Sequence, residues 1–432
     1  MKQKLYRIQS IDWVRLRDCL PVLSPPRVYW AEPGQPPLLS SGASEVLCAD
    51  MDNRFDSIKH RAKLINLKPL EENPDSFPQS AKPRFFGGFS FLPDSAQSSR
   101  WDTFQCGRFM LPEIQLTETA GKVWLTVIGE SSREITEKIQ RFKSCFPRGQ
   151  NRDSTIARHT ESLTQKPTRE QWLKNTRGIL ETIENGTLDK LVVARAMDIQ
   201  TDRALSAEYL HERLIEAHTN TYRFLFNPRE DEVFLGATPE NLIEQNGSVI
   251  HTESLAGTIE AGKTESESRN LAKNLASSQK DQAEHRLVIE SLKQCLEDQV
   301  SRLDFGDQTV RRFPTVQHLY TPIEGKLKTD LHILDLVGIL HPTPAVGGHP
   351  SPDFRSYLSK YEPFERGWYA SPVGWFDRDG NGRFAVAIRS ALANKRDVRL
   401  FAGAGIVSDS IPEKEWDEVQ WKFQSLLNIL LP

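Results

Sequence analysis

The sequence predicts an α+β fold, a large mixed, mainly antiparallel β-sheet core flanked by helices. Three observations carry that expectation. Aromatic and β-branched runs are bounded by Pro, Gly and Ser clusters, as strands are. Turn signals such as Ala120-Gly121 and Asn246-Gly247 join successive runs directly, which suits antiparallel neighbours. Amphipathic helices fall among these hairpins without the regular strand–helix–strand alternation of a parallel sheet.

The elements follow in order. RVYWAE (27–32) and RFFGGFSFL (84–92) read as strands. Pro112, Ile114 and Leu116 alternate with polar neighbours, and Val123, Leu125 and Val127 repeat the alternation after the turn. The pair is a hairpin with one buried face. An amphipathic helix spans roughly 132–145, and the polar, aperiodic stretch 147–167 reads as a connection. Thr168 with Gln171 forms a capping box, Trp172, Ile179, Leu180 and Ile183 make a stripe, and Gly186 closes that helix. A strand through Lys190–Arg195, a helix near 206–218 and strands at 221–227, 232–237 and 248–253 come next. Two helices cover about 265–300, short strands lie around 308–327, and helices fall near 330–340 and 352–361. A three-strand meander (368–377, 383–393, 398–407) precedes a last helix, 411–430, with Ser410 and Glu413 as its capping box and Pro412 in the first turn.

The chain has 432 residues, about three times a typical domain of roughly 150. We expect a strand-rich N-terminal part (1–150) packed on a core of 168–432, one compact unit overall. Fifty-five Lys and Arg against 58 Asp and Glu leave a formal charge of -3, which argues against a nucleic-acid partner held by bulk charge. No apolar run approaches the roughly 20 residues of a membrane helix, and MKQKLYRIQSIDW lacks the apolar stretch of a secretory signal. The five cysteines are scattered without a CxxC and read as reduced thiols, so a cytoplasmic protein is expected.

Candidate chemistry concentrates in three places. On the last helix Trp416, Val419, Phe423, Leu426, Leu427 and Leu430 share an apolar face, with Glu415, Glu418 and Lys422 on a stripe at its edge. Glu418 and Lys422 suit a solvated i,i+4 pair as well as a site. In KDQAEHRLV (280–288) the stripe Leu287, Val288, Leu292 and Cys295 takes in Glu284, with Lys280 one turn earlier. A carboxylate on such a face needs a cation: Mg²⁺, which binds few carboxylates and keeps places for water and substrate oxygens, or simply a lysine. In FAVAIRSA (384–391), strand alternation places Arg389 among Ala385, Ala387 and Ala391, leaving room for a planar anion. Gly403 and Gly405 share one face of the next strand, open to a ligand or to close packing. DRDGNG (377–382) imitates half a calcium loop, but Ile388 stands where a bidentate Glu is required, so it reads as a hairpin turn.

These residues sit in segments that resemble the chorismate-utilising enzymes, the family of isochorismate, salicylate, anthranilate and aminodeoxychorismate synthases. The resemblance runs through DKLVVARA (189–196), FLGATPENL (234–242), HTESLAGT (251–258), KDQAEH (280–285), VQHLYTPIEG (316–325), LHPTPAVGG (340–348), ERGWYASPVG (365–374), AVAIRSA (385–391) and AGAGIVSDSIPEKEWDE (402–418). FGGFSF (86–91) is similar to the menaquinone-pathway isochorismate synthases. The resemblance implies the family's fold, Mg²⁺ on Glu284 and Glu418, and the small dianion chorismate as substrate. It further implies that Tyr369 and Arg389 hold the enolpyruvyl carboxylate beside the backbone of Gly403 and Gly405. Glu415, Lys422, His318, Gly257 and Thr258 would line the remaining wall.

Three positions bear on which reaction the resemblance implies. Lys190 matches the lysine of members that use water as nucleophile, where ammonia-using relatives usually carry an amide. Ala256 stands where aminodeoxychorismate synthases show a nucleophilic lysine, and a methyl forms no adduct. Ala345 is similar to isochorismate synthases, where salicylate synthases tend to carry Thr. The expectation is isochorismate synthase activity, an isomerase, with Lys190 as general base and Glu240 as general acid, and with no obligatory glutamine amidotransferase subunit. Lys190 would have to work neutral and Glu240 protonated, so their environments must act in opposite senses. Salicylate formation, amination and non-catalytic anion binding are the alternatives, and menaquinone is favoured over a siderophore pathway.

Overall fold

Two sheets organise the computed structural model, which describes residues 2–16, 19–71, 76–145, 159–217, 220–313, 315–350 and 354–431. Among these residues the larger sheet has thirteen strands and the second has ten. From one edge the larger runs Thr160–Lys166, Lys190–Thr201, Asp397–Ile406, Ser390–Asn394, Glu232–Thr238, Tyr222–Arg229, Arg27–Ala31, Leu38–Ser41, Ile114–Thr119, Lys122–Gly129, Lys2–Ile11 and Ile65–Pro69. Gly348–His349 adds a short pairing beside Lys190. The second runs Val300–Phe305, Val316–Leu327, Val249–Glu260, Asn241–Asn246, Gly382–Val386, Pro372–Asp377, Arg84–Phe89, Gly107–Leu111 and Glu45–Cys48, with Thr309–Arg312 on Val316–Leu327. The described pairings are antiparallel apart from Lys2–Ile11 with Ile65–Pro69. Hairpins with one buried face build such a sheet without crossover helices.

The sheets meet over aromatic side chains. Trp368 packs edge-on against Phe226 and Phe104 and lies over Gly88 of the second sheet, where an added Cβ would come within 2.8 Å of its ring. Trp101 joins Phe234 and Phe401 of the larger sheet. On the other side of the seam Phe109 contacts Phe376 and Phe384. Rings of this size supply most of the apolar area that drives the two layers together. The helix Pro412–Leu430 covers Asp397–Ile406 with Trp416, Val419, Phe423, Leu426 and Leu430 buried, and Leu427 is half-buried. The helix Gln279–Leu296 covers Val249–Glu260 through His285, Val288, Leu292 and Leu296.

Four expectations are corrected. Within the stretch read as a connection, Thr160–Lys166 is an edge strand; its polar residues are held by backbone pairing with Lys190–Thr201 and not by a buried face. Residues 146–158 of that stretch lie outside the described residues. The second long helix stops at Leu296, and Val300–Phe305 forms a strand on Val316–Leu327. The meander is not one sheet: Gly382–Val386 belongs to the second sheet and Ser390–Asn394 to the larger, with the chain crossing between them at 387–389. Ser410 does not cap the last helix. Its N-cap is Ile411, and the Ser410 hydroxyl instead accepts the Val407 N–H at 3.1 Å and bonds Glu415. The turn at 377–382 is a hairpin turn, its Asp377 carboxylate taken up by the N–H groups of Asp379 and Asn381.

Candidate active site

Two chain crossings between the sheets place the first pair of site residues. Glu232–Thr238 lies in the larger sheet and Asn241–Asn246 in the second, so Pro239 and Glu240 form the passage. The return passage carries Arg389, which adopts φ +49° at the corner. The two are tied together: the Ala237 N–H donates to the Arg389 carbonyl at 3.2 Å, and the Val386 N–H to the Glu240 carbonyl at 3.1 Å. Arg389 therefore does not stand on a strand face among alanines, as alternation suggested. It projects from a bend, and both it and Glu240 line one cavity of about 550 Å³.

Strand register builds the floor. Val192 pairs with Gly405 and Ala194 with Gly403. A Cβ at Gly405 would lie 2.7 Å from Lys190 Cε and 3.3 Å from Glu284 Oε1, so the missing side chain is the space that Lys190 occupies. A Cβ at Gly403 would meet the Val193 carbonyl oxygen at 2.9 Å and the Tyr369 hydroxyl at 3.1 Å. Tyr369 is buried and stacks on Phe401.

The two helices bring in the carboxylates. Ser278 caps Gln279–Leu296 by accepting the Asp281 N–H, and His285, fully buried, bonds Ser254 and Thr321 on two strands of the second sheet. That anchors Glu284 one residue before it. Glu284 accepts from Lys190 Nζ at 2.7 Å. Across the cavity, Glu418 accepts from Lys422 Nζ at 2.7 Å, and the same ammonium donates to the Gly403 carbonyl at 2.8 Å. Lys280 bridges the helices to Glu415 at 3.1 Å. The fourth wall is a hydrogen-bonded chain. His318 Nε2 accepts from Arg389 Nη2 at 3.1 Å, while Nδ1 lies 3.1 Å from the Gly257 carbonyl and from Thr258 Oγ1. Gly257 sits at φ +74° in a bulge that breaks the strand register.

Electrostatics separate the carboxyls. Burial, reinforced by the charge of Glu253, pushes Glu240 up to about 8 despite Lys190, Lys422 and Arg389 nearby. Burial would raise Glu284 too, but Lys190, Lys280 and Lys422 more than offset it and hold it below the usual range. Glu415 is raised by burial and by the adjacent Glu418. Burial, with Arg389 and Lys422, keeps His318 far below its ordinary value, so it is a neutral imidazole oriented by its neighbours. Arg389 is lowered to about 10 by burial.

The cavity thus collects Glu240, Glu284, Glu418, Tyr369, Arg389, Gly403, Gly405, Lys422, Glu415, His318, Gly257 and Thr258. Lys190 is the exception in detail: almost wholly buried, it stands one layer behind the wall, against Gly405 and Glu284. Ala256 and Ala345 also line the cavity. Sequence reasoning missed Asp281, which accepts from the Thr258 N–H at 3.3 Å, and Trp421, an exposed aromatic on the cavity side of the last helix. A large aromatic between Glu418 and Lys422 was the available signal for the second.

A family model described as chorismate binding enzyme matches residues 3–431. Isochorismate synthase MenF of Bacillus subtilis (strain 168) is 36% identical over 356 residues, covering 81% of this chain and 74% of that protein. Salicylate biosynthesis isochorismate synthase of Pseudomonas aeruginosa is 31% identical over 440 residues, 98% of this chain and 89% of that protein. Among solved structures, MenF, the menaquinone-specific isochorismate synthase from Escherichia coli, superposes with a TM-score of 0.82 at 26% identity, over 98% of this chain and 94% of that one. With the family match running through both sheets and every wall of the cavity, the chain belongs to the chorismate binding enzyme family and has its α+β fold.

Proposed function

We propose that the chain is an isochorismate synthase, an isomerase that interconverts chorismate and isochorismate and serves menaquinone formation. The observation that carries the reading is Glu240, a buried carboxyl held at about 8 and therefore still protonated near neutrality, on the wall of a cavity that also holds Arg389 and Lys422 and the ionised carboxylate of Glu284. Isochorismate synthase is named in both relatives and in the solved neighbour, and the neighbour's menaquinone specificity supports the pathway.

Water adds at ring C2 of chorismate, the two ring double bonds shift from C1=C2 and C5=C6 to C1=C6 and C4=C5, and the C4 hydroxyl leaves. The attacking water gives a proton to Lys190, and the departing oxygen takes one from Glu240 and leaves as water, so the atoms balance. Lys190 acts as base only when neutral, and it must release Glu284 to face the water. Arg389, held by His318, and the Tyr369 hydroxyl hold the enolpyruvyl carboxylate. Ala256 leaves no nucleophile for covalent capture, and Lys190, where ammonia-using relatives usually carry an amide, supports direct water addition without an amidotransferase partner.

The donor set fits Mg²⁺. Glu284 and Glu418 face one cavity, each balanced by a lysine. Mg²⁺ takes one or two carboxylates and fills its sphere with water and substrate oxygens. Glu284 and Glu418 would hold it, and when bound it neutralises and orients the ring carboxylate. Incubation with chorismate and Mg²⁺, followed by product identification, tests the reading. Isochorismate alone is expected; salicylate with pyruvate, or an aminated product with ammonium, would replace it.

A further inference from the structure

The geometry points to Glu253 as a positioning residue for the acid: a buried carboxylate that tethers the backbone beside Glu240 and keeps a negative charge next to it. The inference rests on reading Glu240 as the proton donor.

Glu253 lies on Val249–Glu260, where alternation would give its side chain to solvent, yet that side chain is only 9% exposed. Its Oε1 accepts the N–H of Asn241, the residue after Glu240, at 3.0 Å. Asn241 is fixed a second time by its own amide, which donates to the His251 carbonyl at 3.2 Å. Arg311 donates to Glu253 Oε2 at 3.4 Å while its guanidinium stacks on Tyr320, whose hydroxyl also bonds the carboxylate. Glu253 thus forms part of the wall of a second cavity, with Asn241, Tyr222, Arg311 and Tyr320, while Glu240 opens into the first. The passage that carries the acid is clamped from behind by a group with no access to substrate.

The charge matters as much as the tether. Glu240 is faced by Lys190 from its strand, Lys422 from the last helix and Arg389 from the return crossing. Each of these cations favours loss of the acid's proton, and Tyr369 brings no countering charge. Glu253 is the carboxyl set against them; burial raises its own value, and Arg311, the Asn241 N–H and the Tyr320 hydroxyl oppose that rise and favour its charged form. Its own neighbours are Arg311, Tyr320 and Tyr222, while Arg383 is taken up by Glu32 and Glu244. A like charge at short range disfavours ionisation of its neighbour and so preserves the donor form.

The test separates charge from shape. Glu253→Gln keeps an oxygen for the Asn241 N–H but removes the charge, and Arg311, 37% exposed, is not stranded in the interior. Rates are measured with saturating chorismate and Mg²⁺ across the pH range. The ratio of variant to wild-type kcat is expected near one at about pH 6, falling to about a tenth at about pH 9 as the acid loses its proton sooner. Glu253→Asp, which keeps the charge, is expected to hold the ratio near one throughout. Should Glu253→Gln fold poorly, the double variant with Arg311→Met gives the same reading. A loss uniform across pH, or no loss, overturns the inference. The Glu240→Gln enzyme tells the two failures apart. If it is active, the acid assignment itself is wrong; if it is inactive while Glu253→Gln is indifferent to pH, only the role of Glu253 is wrong.

Discussion

Replacing Gly405 with Ala tests whether the space beside that glycine is what seats the base. The added Cβ would lie 2.7 Å from Lys190 Cε and 3.3 Å from both Lys190 Nζ and Glu284 Oε1. Carbon atoms rest at about 3.5–4.0 Å, so the lysine must retreat by about 1 Å. It has little freedom to do so, being 1% exposed with its ammonium fixed to Glu284. Overpacking of this kind costs about 1–3 kcal/mol, a fall of a few degrees in Tm that leaves the fold intact. A catalytic group displaced by about 1 Å can lose about 100-fold in rate. We therefore expect kcat/KM for isochorismate formation to drop by about two orders of magnitude while Tm changes only slightly. A variant within about threefold of wild type would refute the argument, because it would show that the position of Lys190 is not critical.

Glu240→Gln is expected to lower kcat by about 10²- to 10⁴-fold with little change in KM, measured by steady-state kinetics. The same variant should gain stability at neutral pH. The native carboxyl titrates near 8, above its unfolded value, so the stability it contributes is full at acid pH and is lost as pH rises through the folded pKa. Melting curves against pH should therefore fall for the wild type between about 4.5 and about 8, with that component absent from the variant. His318→Ala removes the acceptor that orients Arg389 and is expected to raise KM for chorismate about five- to tenfold, with a smaller effect on kcat. Thorough chelation should abolish turnover and added Mg²⁺ restore it, whereas Glu418→Gln should shift the Mg²⁺ titration to higher concentrations; activity indifferent to chelation would remove the metal from the scheme.

Helical residues of the site were the most legible, because period and position agree. Glu284, Glu415, Glu418 and Lys422 fall where spacing along their helices places them. Arg389 was found but misplaced: FAVAIRSA alternates like one strand, and only tertiary pairing shows that Val386 and Ser390 belong to different sheets. The strands Thr160–Lys166 and Val300–Phe305 were missed because each is held by a neighbour's backbone and carries little apolar alternation. Ser410 satisfied a capping pattern, yet its hydroxyl turns back to Val407 and to Glu415. Glu253 was invisible for the opposite reason. A carboxylate on the polar side of an alternating strand reads as solvated, and its burial comes from Arg311 and Tyr320, more than fifty residues away in sequence.

Sheet order also governs when this chain can finish folding. Arg27–Ala31 waits for Tyr222–Arg229, and Arg84–Phe89 waits for Pro372–Asp377. Emerging from a ribosome at about 5–20 residues per second, the early strands spend on the order of 10–60 s with an unpaired edge before their partners exist. Phe85, whose ring stacks on Phe376 in the folded chain, lacks that partner throughout the interval, so fragments lacking the last sixty residues should aggregate in place of folding.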